Sequence, residues 1–190
     1  MSRTRTATAF ATLGWSAAVA SRGVPGWDAA VFRRINALPH SFVKAVWAPM
    51  QAGALAAPLV VATGLLARRQ PSTAARIAVT GLTAWVSAKA MKSRVTRGRP
   101  GDHIAETQLR FGSADEGLGY PSGHAAVVTT HASGLTRQAG PGWKGAGAVL
   151  VTIVGLSRIY VGAHYPLDVV GGVALGVAIS EVYDLVSGSG

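Results

Sequence analysis

Six runs of apolar residues decide what this chain can fold into. They cover 7–21, 50–67, 74–90, 121–137, 143–160 and 166–186, with turns, a second short helix signal or a long polar loop between them. An apolar run of about 20 residues matches the hydrocarbon core of a bilayer, and a helix satisfies its own backbone polar groups there. Hydrophobic residues make up 49% of the 190 positions and charged residues 14%. That balance is too apolar for an ordinary soluble domain. The expected fold is all-α: a single domain over residues 1–190, built as a six-transmembrane-helix bundle.

The formal net charge is +10, and most Lys and Arg residues fall between the runs or at their ends. Cations so placed suit anionic headgroups at a bilayer surface. A nucleic-acid binder of similar charge would show a basic helix with interleaved aromatics, which this sequence lacks. The absence of cysteine excludes disulfides and thiolate metal sites.

Taken in order, residues 1–6 carry Arg3 and Arg5, and Ala7 to Ser21 is a short Ala/Thr-rich run. Ala18-Val19-Ala20 resembles a signal-peptide cleavage site, but a retained first helix is the favoured reading. Trp27 to Leu38 places Trp27, Val31, Phe32 and Ile35 near one face, with Asp28, Arg33, Arg34 and Asn36 largely elsewhere; this predicts an amphipathic helix on the membrane surface. Lys89, three residues before Lys92, is expected to snorkel to the interface. Residues 93–120 form a polar loop containing Arg97, Asp102, Asp115 and Glu116, with Leu109, Phe111, Leu118 and Tyr120 as its apolar members. Gln138 to Gly142 reads as a Gly/Pro turn. His131, two turns past His124, is expected to be hydrogen-bonded inside the bundle. Gly172 and Gly176 have the spacing that lets membrane helices approach closely.

The chemistry-bearing residues stand at the ends of these runs. Ser157 to Asp168 holds Arg158, His164 and Asp168. Pro166 suits the first turn of a helix, which places Asp168 in that turn and within reach of His164. A carboxylate on one imidazole nitrogen fixes the tautomer and leaves the other nitrogen free as nucleophile or base. Arg158 offers a fork of donors to an anion. Upstream, Ser122 is a good N-cap and Gly123 lets backbone approach a ligand, so a helix start there suits a phosphate, with His124 beside it. Lys92 ends a further run, and Arg99 precedes the helix-stopping Pro100.

Lys92-x6-Arg99-Pro100, Pro121-Ser122-Gly123-His124 and Ser157-Arg158-x5-His164-x3-Asp168 together resemble the three-part signature of the type 2 phosphatidic acid phosphatase (PAP2) superfamily. That superfamily also includes vanadium haloperoxidases and bacterial acid phosphatases. Each signature position is filled without substitution, over residues 92–168, and 1–50 match loosely. The resemblance implies an active site at one membrane face. There His164 attacks phosphorus to form a phosphohistidine, Asp168 supports it, and His124 protonates the leaving oxygen and then activates water. Lys92, Arg99, Ser122, Gly123 and Arg158 hold the phosphate. With three cations balancing the charge, no metal and no cofactor is called for; the carboxylates of 102–116 also lack a metal-loop spacing.

The expected partner is therefore the lipid bilayer, and the expected substrate a membrane lipid phosphate. Candidates are a polyprenyl phosphate or diphosphate, a prenyl-phosphoryl sugar phosphate, phosphatidylglycerol phosphate or phosphatidic acid. Competing readings are a non-catalytic phospholipid-binding or transport protein, a haloperoxidase and a soluble acid phosphatase. The two catalytic His, the short length and the apolar runs argue against them in turn. With six spans, seven Lys and Arg fall on the side of the termini and eight on the other, once Lys92, Arg99 and Arg158 are set aside. That balance does not orient the bundle; the resemblance favours a site outside the cytoplasm. Nothing in the sequence sets an oligomeric state.

Overall fold

The computed structural model describes residues 3–113, 116–138 and 141–188. Among them all regular structure is helical. The helices are α1 (Arg3–Ala20), α2 (Gly26–Asn36), α3 (Val43–Met50), α4 (Ala57–Ala67), α5 (Pro71–Lys92), α6 (Pro100–His103), α7 (Gly123–Gln138), α8 (Pro141–Tyr160) and α9 (Pro166–Val186). Short 3-10 turns at His40–Phe42 and Gln51–Gly53 join the early helices. Pro71 and Pro166 open α5 and α9, where the missing N–H has no helical partner to lose.

The bundle is centred on α7 and α9. Helix α7 packs on α9, α5 and α8, while α9 also packs on α1 and α5. The α7–α9 seam is closed by absence of side chain. A Cβ on Gly172 would lie 2.3 Å from the Ser122 carbonyl oxygen, and one on Gly176 2.5 Å from that of Ala126. The Gly172/Gly176 spacing is thus a contact surface, and it brings the starts of α7 and α9 together.

Polarity runs from inside to outside. Val60, Val86, Val149 and Leu185 are exposed apolar residues on α4, α5, α8 and α9, whereas Arg76, Arg97, Asp168 and Asp184 are buried. A water-soluble protein has the reverse preference. Among the described residues, α9 is the helix long and apolar enough to cross a membrane by itself.

Helices occupy all six apolar runs, but the run at 50–67 is not one straight span. Its parts, His40–Gly53 and Ala57–Ala67, meet at a bend of 72°. Pro49 lies inside α3 and Pro58 in the first turn of α4, so the ladder of backbone hydrogen bonds cannot run through. The α4 helix has 11 residues. At about 1.5 Å per residue that is roughly half a bilayer core.

Helix α2 is present, but Asp28 and Asn36, expected on its polar outer face, point into the protein. Asp28, Phe32 and Asn36 are its buried residues, one helical turn apart, whereas Trp27 and Val31 are exposed. The described residues of the polar loop 93–120 fold as a cap on the bundle: Val95, Arg97, Ile104, Arg110 and Tyr120 are all buried. Arg110 Nη2 donates to the carbonyls of Asn36 at 2.7 Å and Leu38 at 2.8 Å, which ties the cap to the end of α2. Asp115 and part of the Gln138–Gly142 turn lie outside the described residues.

Candidate active site

Helix ends and the 93–120 cap meet around a cavity of about 340 Å³. Lys92, Arg99, Gly123, His124, Arg158 and His164 line it, with Leu55, Trp85, Ala88 and Leu118 as apolar wall. Lys92 is the last residue of α5, and its Nζ donates to the carbonyls of Leu118 at 2.5 Å and Gly119 at 3.0 Å. Arg99 stands just before α6; its Nε donates to the carbonyl of Glu116 at 2.8 Å and its Nη1 to that of Ala163 at 2.8 Å. Arg158, in the last turn of α8, donates from Nη1 to the Gly112 carbonyl at 2.6 Å. Backbone carbonyls thus steer all three side chains.

Those three cations converge although Lys92 and Arg158 are 66 positions apart in sequence. Residues 72–185 match the family described as the PAP2 superfamily. The chain belongs to that superfamily. A 62-residue stretch, 32% of this chain, is 47% identical to an undecaprenyl-diphosphatase of Sulfolobus acidocaldarius and spans 30% of that protein. A 71-residue stretch is 42% identical to a decaprenylphosphoryl-5-phosphoribose phosphatase of Mycobacterium tuberculosis and spans 38% of it. The chain therefore aligns with about a third of the length of these curated relatives. Among solved structures, a transmembrane PAP2-type phosphatidylglycerolphosphate phosphatase from Bacillus subtilis is similar with a TM-score of 0.79 and 17% identity. That match covers 97% of this chain and 96% of the other. Aquifex aeolicus LpxE is similar with a TM-score of 0.71 and 22% identity, over 80% and 92% of the two chains. Both share the fold.

The remaining PAP2 signature residues stand behind the cavity wall. Ser122 is fully buried; its Oγ accepts the Ala125 N–H at 3.4 Å, and its own N–H donates to the Asp168 carbonyl at 2.9 Å. It therefore caps α7 and ties that helix start to α9. Asp168 is buried in the first turn of α9, where its Oδ2 accepts the Tyr165 N–H at 2.9 Å. His164 Nδ1 lies 3.5 Å from the same oxygen and makes no hydrogen bond. Burial, reinforced by Lys92, Arg158 and Arg99, holds the His164 imidazole well below its ordinary pKa. The ring is neutral at pH 7, as a nitrogen lone pair must be to react.

Sequence reasoning passed over several residues that shape this site. Arg97, read as one more loop charge, is buried and ion-paired to both Asp168 and Asp28. Asp28 was expected on the polar face of a surface helix. No short spacing links positions 28, 97 and 168, so no local signal marks them. Gly53 presses on the start of α7: a Cβ there would meet the His124 carbonyl oxygen at 2.5 Å. Lys89 lines the cavity wall, with its Nζ 4.7 Å from the centre of the Trp85 ring. His131 Nδ1 lies 3.1 Å from the Ala52 carbonyl oxygen, inside the bundle, and it does not reach the cavity.

Proposed function

We propose that this PAP2 protein is a metal-independent lipid phosphatase acting on a phosphomonoester or diphosphate at a membrane face. The observation that carries the reading is the cavity itself. It joins three fixed cations and two His to an apolar wall, as a phosphate on an alkyl or prenyl chain requires.

A phosphomonoester at neutral pH carries about two negative charges. Lys92, Arg99 and Arg158 balance them, and the Gly123 N–H at the start of α7 adds a donor; Ser122 holds that helix start in place. The neutral His164 nitrogen attacks phosphorus as the bond to the leaving oxygen breaks. His124 gives that oxygen a proton. The product is an alcohol or a shorter phosphate, with the phosphoryl group on His164. His124, now neutral, takes a proton from water, whose oxygen attacks the phosphohistidine and releases phosphate. Asp168 supports the imidazole while its ring is charged.

Among candidate lipids, a polyprenyl phosphate or diphosphate, or a prenyl-phosphoryl sugar phosphate, is favoured over phosphatidylglycerol phosphate and phosphatidic acid. The support is the names of the two relatives, at 47% and 42% identity over short stretches. The same reading makes the chain a multi-pass cell-membrane protein of six spans with its site outside the cytoplasm. The exposed apolar faces support the membrane placement, and so does the likeness to a protein described as transmembrane. The test is phosphate release in detergent with excess chelator, across a lipid phosphate panel, beside His124→Ala and His164→Ala. Release that survives chelation and needs both His supports the proposal. Folded protein that releases nothing from any lipid points instead to lipid binding or transport.

A further inference from the structure

Behind the cavity wall lies a buried charge chain that phosphate binding does not account for. Asp28, Arg97 and Asp168 are all buried, two of them completely. Arg97 donates from Nη2 to Asp28 Oδ2 and from Nη1 to Asp168 Oδ1, the latter at 3.1 Å. Each carboxylate turns its other oxygen to the start of α9: Asp28 Oδ1 accepts the Leu167 N–H at 2.9 Å and Asp168 Oδ2 accepts the Tyr165 N–H at 2.9 Å. The guanidinium also lies 4.7 Å from the centre of the Tyr165 ring. Three elements are pinned together: α2, the 93–120 cap, and α9 with the His164 loop.

The charges do not cancel. Two carboxylates share one guanidinium, so with both ionised the buried cluster carries one excess negative charge. A strut would need only one carboxylate for its Arg. The excess faces His164, whose Nδ1 is 3.5 Å from Asp168 Oδ2. The charged groups that push hardest on this imidazole are positive: Lys92 from α5, Arg158 from α8 and Arg99 from the cap. Forming the bond from the imidazole nitrogen to phosphorus leaves the ring positively charged, with a hydrogen on its other nitrogen. Those cations oppose that charge, and the excess negative charge offsets them.

We infer that Asp28 and Arg97 are positioning residues for the reaction. Arg97 fixes the Asp168 carboxylate, and Asp28 takes up the charge of Arg97, so that Asp168 keeps its negative charge for His164 as the phosphoryl group transfers. The inference rests on the phosphatase reading above. It places a residue of α2, outside the three-part signature and some 136 positions before His164 in the chain, in the support of the nucleophile.

The test compares wild type with Asp28→Asn, Arg97→Lys and Arg97→Ala in one detergent, using farnesyl diphosphate as probe. Steady-state kcat and KM and the melting temperature are read together. Asp28→Asn keeps the shape and removes the charge. It is expected to lower kcat about 10-fold with KM within about two-fold, because the phosphate-binding cations are untouched. Arg97→Ala is expected to lower kcat about 100-fold, with Arg97→Lys recovering part of the loss. If Arg97→Ala fails to fold, Asp28→Asn and Arg97→Lys still decide. Variants with wild-type kcat per folded molecule overturn the inference, as does a loss confined to KM. A wild type that releases no phosphate overturns the phosphatase reading, and the inference falls with it.

Discussion

Two clusters of ionisable side chains sit at opposite ends of the same three helices, and they follow different plans. At one end are Lys92 of α5, His124 of α7 and Asp168 of α9. At the other are Arg76 of α5, Arg137 of α7, and Glu181 and Asp184 of α9. Along α9 the two ends are about 24 Å apart at 1.5 Å per residue. In the far cluster cations meet carboxylates: Asp184 bridges Arg76 and Arg137, and Glu181 is ion-paired with Arg5 Nε at 3.2 Å. In the near cluster Lys92 and Arg158 donate to backbone carbonyls, which steer a cation without neutralising it. The near cluster opens on a cavity, where the proposed function places an anionic ligand. The far one already has its counter-ions. Buried charge by itself does not mark a site; buried positive charge held by neutral acceptors beside a cavity does.

That contrast can be broken, beginning with the largest effect. At the near end, His164→Ala is expected to lower turnover by about four orders of magnitude or more, with the melting temperature near wild type. Phosphate release and a detergent melt on one preparation check it, and a fully active variant would remove His164 from the chemistry. At the far end, Asp184→Asn removes the charge of the carboxylate that bridges Arg76 and Arg137 and is expected to cost about 3 kcal/mol of stability, while kcat per folded molecule holds. Equal losses of both would mean the two ends are not independent. Arg158→Ala should give the mirror result: a rate loss of about 100-fold or more, and a smaller shift in melting than Asp184→Asn causes. Between the ends, Gly172→Ala pushes the α7 start away from α9, at a cost of about 1–3 kcal/mol and with partial loss of rate.

The smallest effect is that of pH. His164 is held well below its ordinary value of 6.5 by burial and by Lys92, Arg158 and Arg99. A group so depressed stays neutral in the folded protein while it protonates in the unfolded chain. Its nucleophile is therefore not lost on passing from pH 7 through 6.5, and the acid limb of kcat/KM is expected below 6.5. Stability behaves differently: the His164 contribution is intact above 6.5 and weakens as pH falls below it, because the unfolded state then binds the proton. An acid limb centred at or above 6.5, measured in a pH series on wild type, would show that His164 is not held neutral.

Much of the molecule was legible in the chain. Lys92, Arg99, Gly123, His124, Arg158 and His164 each stand at a helix end or in an adjoining loop, where hydropathy breaks and a Pro, Ser or Gly marks the boundary. Such signals are local, so the helices around 71–92, 123–138, 141–160 and 166–186 could be read from them. Gly172 and Gly176 were legible as a spacing, although only packing shows that the Ser122 and Ala126 carbonyls fill the space. The bend before α4 was not read, although Pro49 and Pro58 carry it, because apolar composition alone reads straight through a proline. Helix α2 was found, but the inward turn of Asp28 and Asn36 was not: both were expected on the polar face of a surface helix. In a protein with an apolar exterior, the polar Asp28 and Asn36 take the inner face, because they find partners in Arg97 and in the carbonyls of Gln108 and Tyr160.

By itself the sequence determined the all-helical class, the membership of the PAP2 superfamily and the residues at each helix end, because period, punctuation and motif spacing act over a few neighbouring positions. Only the tertiary structure decided that Asp28, Arg97 and Asp168 form one buried chain of charge and that Ser122 and Asp168 stand behind the cavity rather than in its wall. Those are relations between segments far apart in the chain. They exist only once α7 and α9 have closed on each other through glycine and the 93–120 cap has folded down over their ends.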